Sequence, residues 1–260
     1  MAYLDGVPID PNDLQTLALT NLGHFTSMRV DNGSVRGLDL HLDRLVSNCR
    51  AVFDATLDPV HVRNLVRQAV AAETAETFVV RVTIFDPKLS MGSPGADAHP
   101  KVMVTSRAID AGTLPPLRVQ TVRYQRDWPE IKHMGLFGQL AARRSAQRAG
   151  FDDALFVSPD DGHVTEGGTW NLGLVTGHGV VWPKGEVLPG VTMRLLQRAH
   201  EFVTEPVGLE DLFGAQAVFA TNTSIGVRPI SAVDDVEFPV DHQVIEDLRR
   251  TYSTLPCDPL

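Results

Sequence analysis

Apolar and polar positions along the chain alternate in two rhythms. Residues 25–30 and 34–40 read as two strands joined by Asp31-Asn32-Gly33, because an Asn-Gly pair supplies the positive φ values of a tight hairpin. Leu42, Leu45, Val46, Cys49, Val52 and Phe53 then recur at helical spacing. A second helix starts near Asp58-Pro59, where the fixed φ of proline suits a first turn, and it carries Val62, Leu65, Val66 and Ala69. Residues 78–85 are β-branched and aromatic and read as a strand. Residues 86–100, rich in Pro, Gly, Asp and Ser, form a loop. Strands are predicted over 101–106 and 117–124.

At 125–130 the pattern breaks into a polar turn, Arg126-Asp127-Trp128-Pro129. The predicted division is a small N-terminal domain over 1–124, a connection over 125–130 and a larger C-terminal domain over 131–260. In the second part a helix is expected over 135–149 and ended by Gly150, with a strand over 154–157. A hairpin of 171–175 and 180–182 turns at Gly177-His178-Gly179. A helix begins near Thr192, a strand covers 217–220, a polar turn 221–226, and the last helix begins near Asp241. Helices and strands are intermixed without a regular βαβ repeat, which favours α+β over a doubly wound sheet.

Composition narrows the function classes. Of 260 residues, 43% are hydrophobic, enough for a sizeable core. The formal net charge of −9 argues against nucleic acid or anionic membrane as partners, since both need a basic face. No apolar run approaches the roughly 18 residues of a membrane span, and the first residues do not resemble a secretory signal. Two cysteines, Cys49 and Cys257, make neither a disulfide framework nor a metal site, and the expected location is the cytoplasm. Four lysines stand against nineteen arginines, so an amine for chemistry must be Lys88, Lys101, Lys132 or Lys184.

Four segments could carry chemistry. Ile131-Lys132-His133-Met134-Gly135 puts a lysine between a turn and a helix, at the edge of a pocket; the plain alternative is a solvated surface amine. Gly162 to Asn171 includes Thr165-Glu166-Gly167-Gly168, a glycine-rich loop whose plain reading leaves Glu166 exposed. Its two glycines would let the backbone approach something flat, and its carboxylate could hold a pyridine nitrogen protonated. Leu188-Pro189-Gly190-Val191-Thr192 opens a helix: either Thr192 caps it, or its free N–H groups bind an anion. Thr221-Asn222-Thr223-Ser224-Ile225-Gly226 is a polar turn whose N–H and hydroxyl groups could also meet phosphate or carboxylate oxygens.

Taken together these segments resemble the class IV aminotransferases, the fold-type IV pyridoxal-phosphate group. That group includes branched-chain and D-amino-acid aminotransferases, R-selective amine transaminases and 4-amino-4-deoxychorismate lyases. The likeness also draws on Phe25-Thr26-Ser27-Met28-Arg29-Val30, His41-Leu42-Asp43-Arg44-Leu45 and Phe219-Ala220-Thr221-Asn222-Thr223, and runs over residues 25–230. It implies a small N-terminal α+β domain, a larger C-terminal domain with a barrel-like sheet, pyridoxal 5′-phosphate between them, and commonly a homodimer. Lys132 matches the lysine that forms a Schiff base with the cofactor and shuttles the proton, and Glu166 matches the carboxylate that pairs with the pyridine nitrogen. Arg44, Val191, Thr192 and Thr223 match the phosphate contacts, and Asn171 goes with the cofactor set. Arg81, Ser224 and Ile225 fall near the substrate.

The resemblance implies a transaminase taking a small-molecule amino donor and a keto acceptor. A lyase that expels pyruvate would use the same lysine and glutamate, and a cofactor-binding relative without activity is a third reading. Two departures weaken a branched-chain assignment: Phe137 stands where those members carry tyrosine, and Met193 where they carry arginine. A helical projection adds a conflict, because Arg44 lies opposite the apolar stripe and composition alone predicts a solvated side chain.

Overall fold

A computed structural model describes residues 2–71, 73–109, 112 and 114–260. The chain forms two compact units. One is Met1–Ala111 with Ile131–Gly135 and Pro256–Leu260; the other is Gly112–Glu130 with Leu136–Leu255. The expected single cut at 125–130 assigns 131–135 to the second part, whereas these residues group with the first.

In the first unit the order is β1 (Ala2–Leu4), β2 (Val7–Pro8), α1 (Asp13–Leu19), β3 (His24–Asp31), β4 (Ser34–Arg36), α2 (Leu38–Phe53), α3 (Pro59–Val70), β5 (Thr77–Phe85) and β6 (Lys101–Ala108). The predicted β3–β4 hairpin forms with Asn32 and Gly33 both at positive φ, 48° and 73°. The second strand is shorter than expected and passes into α2 at Gly37, whose φ of 65° suits glycine. Asp58 caps α3 by accepting the Val60 N–H, with Pro59 in the first turn. Strand order is β4-β3-β5-β6-β1-β2. One face carries Met28, Val30, Val80, Val82, Ile84, Val102 and Val104, packed against Leu45, Cys49, Phe53, Val62, Leu65 and Val66 of α2 and α3. The alternation of the pleat sends Phe25, Ser27, Arg81 and Thr83 to the other face.

The second unit contains β7 (Leu117–Arg123), α4 (Phe137–Arg148), β8 (Asp153–Val157), β9 (Val164–Gly167), β10 (Asn171–Thr176), β11 (Gly179–Pro183), α5 (Val191–Ala199), β12 (Phe202–Glu205), α6 (Leu209–Phe213), β13 (Ala217–Asn222), β14 (Gly226–Val233), β15 (Val236–Glu237) and α7 (Gln243–Thr254). Six strands close a ring, β10-β13-β14-β7-β8-β9 and back to β10, which is the barrel-like sheet expected. Strand β7, placed by sequence in the N-terminal part, pairs in parallel with β14 and β8 and belongs to this ring. Its local pattern reads as a strand in either place; only its partners assign it. Leu117, Val119, Leu155, Val164, Leu172, Leu174, Val218, Ala220 and Ile230, drawn from all six strands, fill the ring. Helices α5 and α7 cover part of its outer face through Met193, Leu196, Ile245 and Leu248 against Val175, Ala217 and Phe219. A last strand, β16 (Cys257–Pro259), pairs with β4 at the edge of the first sheet.

Candidate active site

In the first unit the Lys132 segment lies along the start of β3. Phe25 donates its N–H to the Lys132 carbonyl at 2.9 Å, Met134 donates to the Gly23 carbonyl at 2.9 Å, and His24 and His133 form an isolated bridge. On the other side Asn48 of α2 accepts the Lys132 backbone N–H at 3.1 Å. Lys132 is half-buried, with Nζ 5.0 Å from the centre of the Phe25 ring. The Arg81 guanidinium stacks on the same ring at 3.5 Å. Two cations therefore meet one aromatic ring, each contact favoured electrostatically by the ring quadrupole. Burial lowers the Arg81 pKa, and among the described residues no carboxylate lies within ion-pair distance of it.

The helical-projection conflict resolves against the solvated reading. Arg44 is 9% exposed, and His41, Arg44 and Asn48, spaced along one side of α2, are all buried. The buried arc of the helix thus extends past the apolar stripe to these three residues, while Asp39, Asp43, Ser47 and Arg50 stay exposed. His41 Nδ1 and Thr26 Oγ1 are 2.7 Å apart, tying α2 to β3. Burial holds the His41 imidazole well below its usual pKa, and the charges of Arg44 and Lys132 push the same way.

In the second unit Glu166 corrects the sequence reading of an exposed loop carboxylate. It lies in β9 and is 4% exposed. Between its pairings Val157↔Val164 and Leu155↔Gly167, β9 advances three residues for two on β8. That bulge reverses the alternation and re-aims Glu166 away from the ring interior. Glu166, Asn171 and Thr221 are consecutive register partners across β9, β10 and β13, so they share one face. The Glu166 carboxylate accepts the Leu188 N–H at 3.2 Å and lies 3.6 Å from the Arg126 guanidinium, itself buried. Arg126 was missed in the sequence because it sits inside a turn-like stretch that carries no signal of burial. The flat group met by the first of the two glycines is Trp170. A β-carbon on Gly167 would lie 2.0 Å from its indole, and one on Gly168 would lie 2.9 Å from Asp153 Oδ1. Asp153 accepts the indole N–H at 3.1 Å, and burial raises its pKa.

The start of α5 is capped by Gly190, not by Thr192, and among the described residues no side-chain cap is seen there. Thr192 lies in the first turn, 1% exposed, with its hydroxyl 3.5 Å from that of Tyr252. Asn171 donates to the Leu188 carbonyl at 2.7 Å, and a β-carbon on Gly190 would lie 1.9 Å from Asn171 Oδ1. Only glycine lets the carboxamide lie against the helix start. Val191 is buried beside it. In the 221–226 segment, Thr221 and Asn222 complete β13 and only 223–225 turn. Asn222 Oδ1 accepts the N–H groups of Ser224 and Ile225 at 2.8 and 2.9 Å, so these two amides serve the turn and not an anion. Thr223 stands half-buried at its tip.

The model of the class IV amino-transferase family matches residues 23–233. The chain belongs to the class IV aminotransferases. A Methanocaldococcus jannaschii protein, named as a candidate branched-chain-amino-acid aminotransferase, is 26% identical over 89% of this chain and 87% of its own length. Among solved structures, a candidate 4-amino-4-deoxychorismate lyase from Legionella pneumophila superposes with a TM-score of 0.83 at 22% identity, covering 96% of both chains. A hypothetical aminotransferase from Mycobacterium tuberculosis in a PLP-bound form gives 0.84 at 19% identity over 98% of both. These structural likenesses establish the fold-type IV architecture. Among the described residues no helix is long and apolar enough to cross a membrane.

Proposed function

We propose that this class IV aminotransferase uses pyridoxal 5′-phosphate to transfer an amino group from a small amino acid or amine to a keto acceptor. The observation that carries the reading is Glu166, a buried carboxylate beside Arg126, on the same face as Asn171 and Thr221. A charge is costly to bury unless something uses or pairs it. The residues fit the cofactor on two further grounds. Asn171 fills a cradle at Gly190 that a β-carbon would block, beside a helix start with no side-chain cap among the described residues. Thr221 Oγ1 is buried without a hydrogen-bond partner among the described residues.

When bound, the cofactor supplies an electron sink for the pair left as the substrate loses its α-proton. Lys132 is the proposed point of covalent attachment, and its released amine the base that takes that proton and returns it. Proton transfer of this kind contributes roughly 10²–10⁴-fold. Glu166 would keep the pyridine nitrogen protonated. Arg44, Val191, Thr192 and Thr223 are the proposed phosphate partners, with Asn171 supporting the helix start. Arg81, stacked on Phe25 and without an acidic partner among the described residues, suits the substrate carboxylate. Ser224 and Ile225 would border the substrate.

A lyase outcome is the second reading, since Lys132-His133 and Phe25-Thr26-Ser27-Met28-Arg29-Val30 resemble the aminodeoxychorismate lyases, while Phe137, where branched-chain members carry tyrosine, departs from the branched-chain pattern. The same proposal expects a homodimer, checked by light scattering, and a cytoplasmic location, checked by fractionation. Borohydride reduction of the cofactor-loaded protein, followed by peptide mapping, tests the attachment. A label on Lys132 is expected; a label on Lys88, Lys101 or Lys184, or on none, overturns it. Half-reaction spectra with L-amino acids, D-amino acids, R-amines and aminodeoxychorismate then separate transfer from pyruvate release.

A further inference from the structure

We infer that Asn48 is a positioning residue for the Lys132 amine, an inference that rests on Lys132 being the cofactor lysine. Asparagine is a poor choice in the middle of a helix, where its carboxamide competes with the backbone, and a poorer one when buried. Asn48 is 6% exposed, next to the core residue Cys49. Nothing in the packing of α2 calls for an amide there. Its Oδ1 instead accepts the Lys132 N–H at 3.1 Å, while the Lys132 carbonyl accepts the Phe25 N–H at 2.9 Å.

The peptide groups on both sides of the Lys132 α-carbon are therefore anchored, one to α2 and one to β3. That fixes where the side chain leaves the backbone. The anchor is itself braced. His41, two turns before Asn48, meets Thr26 of β3 at 2.7 Å, so helix, strand and lysine segment form a closed set of ties. Arg44 is four residues before Asn48 and lies on the same side of α2. One rigid element thus carries the proposed phosphate arginine and the anchor of the proposed cofactor lysine. A lysine amine displaced by an ångström would meet an aldehyde carbon in the wrong place, and reaction rates are sensitive to such offsets.

The test compares Asn48→Leu, which removes the acceptor at nearly the same size, with Asn48→Asp, which keeps an oxygen. In cofactor-free protein, hydrogen exchange at the Lys132 amide should quicken about three- to tenfold in Asn48→Leu and recover in Asn48→Asp. Covalent capture of pyridoxal 5′-phosphate by Asn48→Leu should slow about tenfold. Affinity for pyridoxine 5′-phosphate, which has no aldehyde, should stay within about twofold, because none of the proposed phosphate contacts changes. Parent-like exchange and capture in Asn48→Leu overturn the inference. Should that variant fail to fold, Asn48→Ser, too short to reach the amide, is read in its place with the same outcomes. If the parent carries its label on another lysine, the proposed function falls while the exchange measurement still decides whether Asn48 anchors this segment.

Discussion

The surroundings of Lys132 and Glu166 differ in kind. Lys132 is held through its backbone, by Phe25 on one side and Asn48 on the other, and its side chain passes over an aromatic ring. Glu166 is held through its carboxylate, by the Leu188 N–H and the Arg126 charge, on a strand whose bulge aims it. The contrast fits the roles proposed for the two groups. An amine that attaches to, leaves and protonates a substrate needs a fixed origin and a mobile end. A carboxylate that pairs with a ring nitrogen throughout needs a fixed end, which preorganised dipoles and charge provide.

The harshest way to break the comparison is Lys132→Ala. It should abolish covalent cofactor capture and cut the half-reaction by about 10⁴-fold or more, measured by single-turnover absorbance, with the melting temperature unchanged. A parent-like rate would mean that the anchored lysine is only structural. Glu166→Gln should slow proton abstraction by at least roughly 10²-fold and, because Arg126 is left buried beside a neutral amide, destabilise the protein by about 3 kcal/mol in urea titration. The second effect sharpens the contrast, since an exposed loop carboxylate would show none. Arg44→Ala should weaken pyridoxal 5′-phosphate affinity by about 10–100-fold, read by fluorescence titration. Affinity unchanged within error would return Arg44 to a packing role.

The smallest effect concerns the strand under the lysine segment. Burial pushes the His24 imidazole down to about 3 from 6.5, and neither ring nitrogen has a hydrogen-bond partner among the described residues. Between those pH values the unfolded chain takes up a proton that the folded chain refuses, so stability is lost as pH falls through this window. His24→Leu removes that loss. Its stability relative to the parent should rise by about 2 kcal/mol between pH 7 and pH 5 in denaturant titrations. A gap independent of pH would show that His24 is protonated without cost.

Local chemistry was legible wherever a residue decides its own conformation. Asn32-Gly33 produced the hairpin, Asp58-Pro59 the start of α3, and the β-branched run of β5 its strand. The order of Lys132, Glu166, Gly190-Val191-Thr192 and the turn after Asn222 was enough to indicate the family. The short β9, by contrast, reads as a loop in sequence, since a bulged four-residue strand containing glutamate and glycine carries no alternation to detect.

The sequence by itself determined the α+β class, most element positions and the candidate chemistry, since propensity, turn residues and motif order are properties of neighbours along the chain. Only the tertiary structure decided that β7 belongs to the ring, that 131–135 lie along β3, and that His41, Arg44 and Asn48 of α2 are buried. Each of these depends on a partner distant in sequence. A strand does not encode which edge it joins, and an arginine opposite an apolar stripe reads the same whether water or protein covers it. Arg126 and Asn48 escaped notice for the same reason: their partners, Glu166 and the Lys132 amide, are 40 and 84 positions away, and burial that comes from such pairings leaves no mark on the residues alongside.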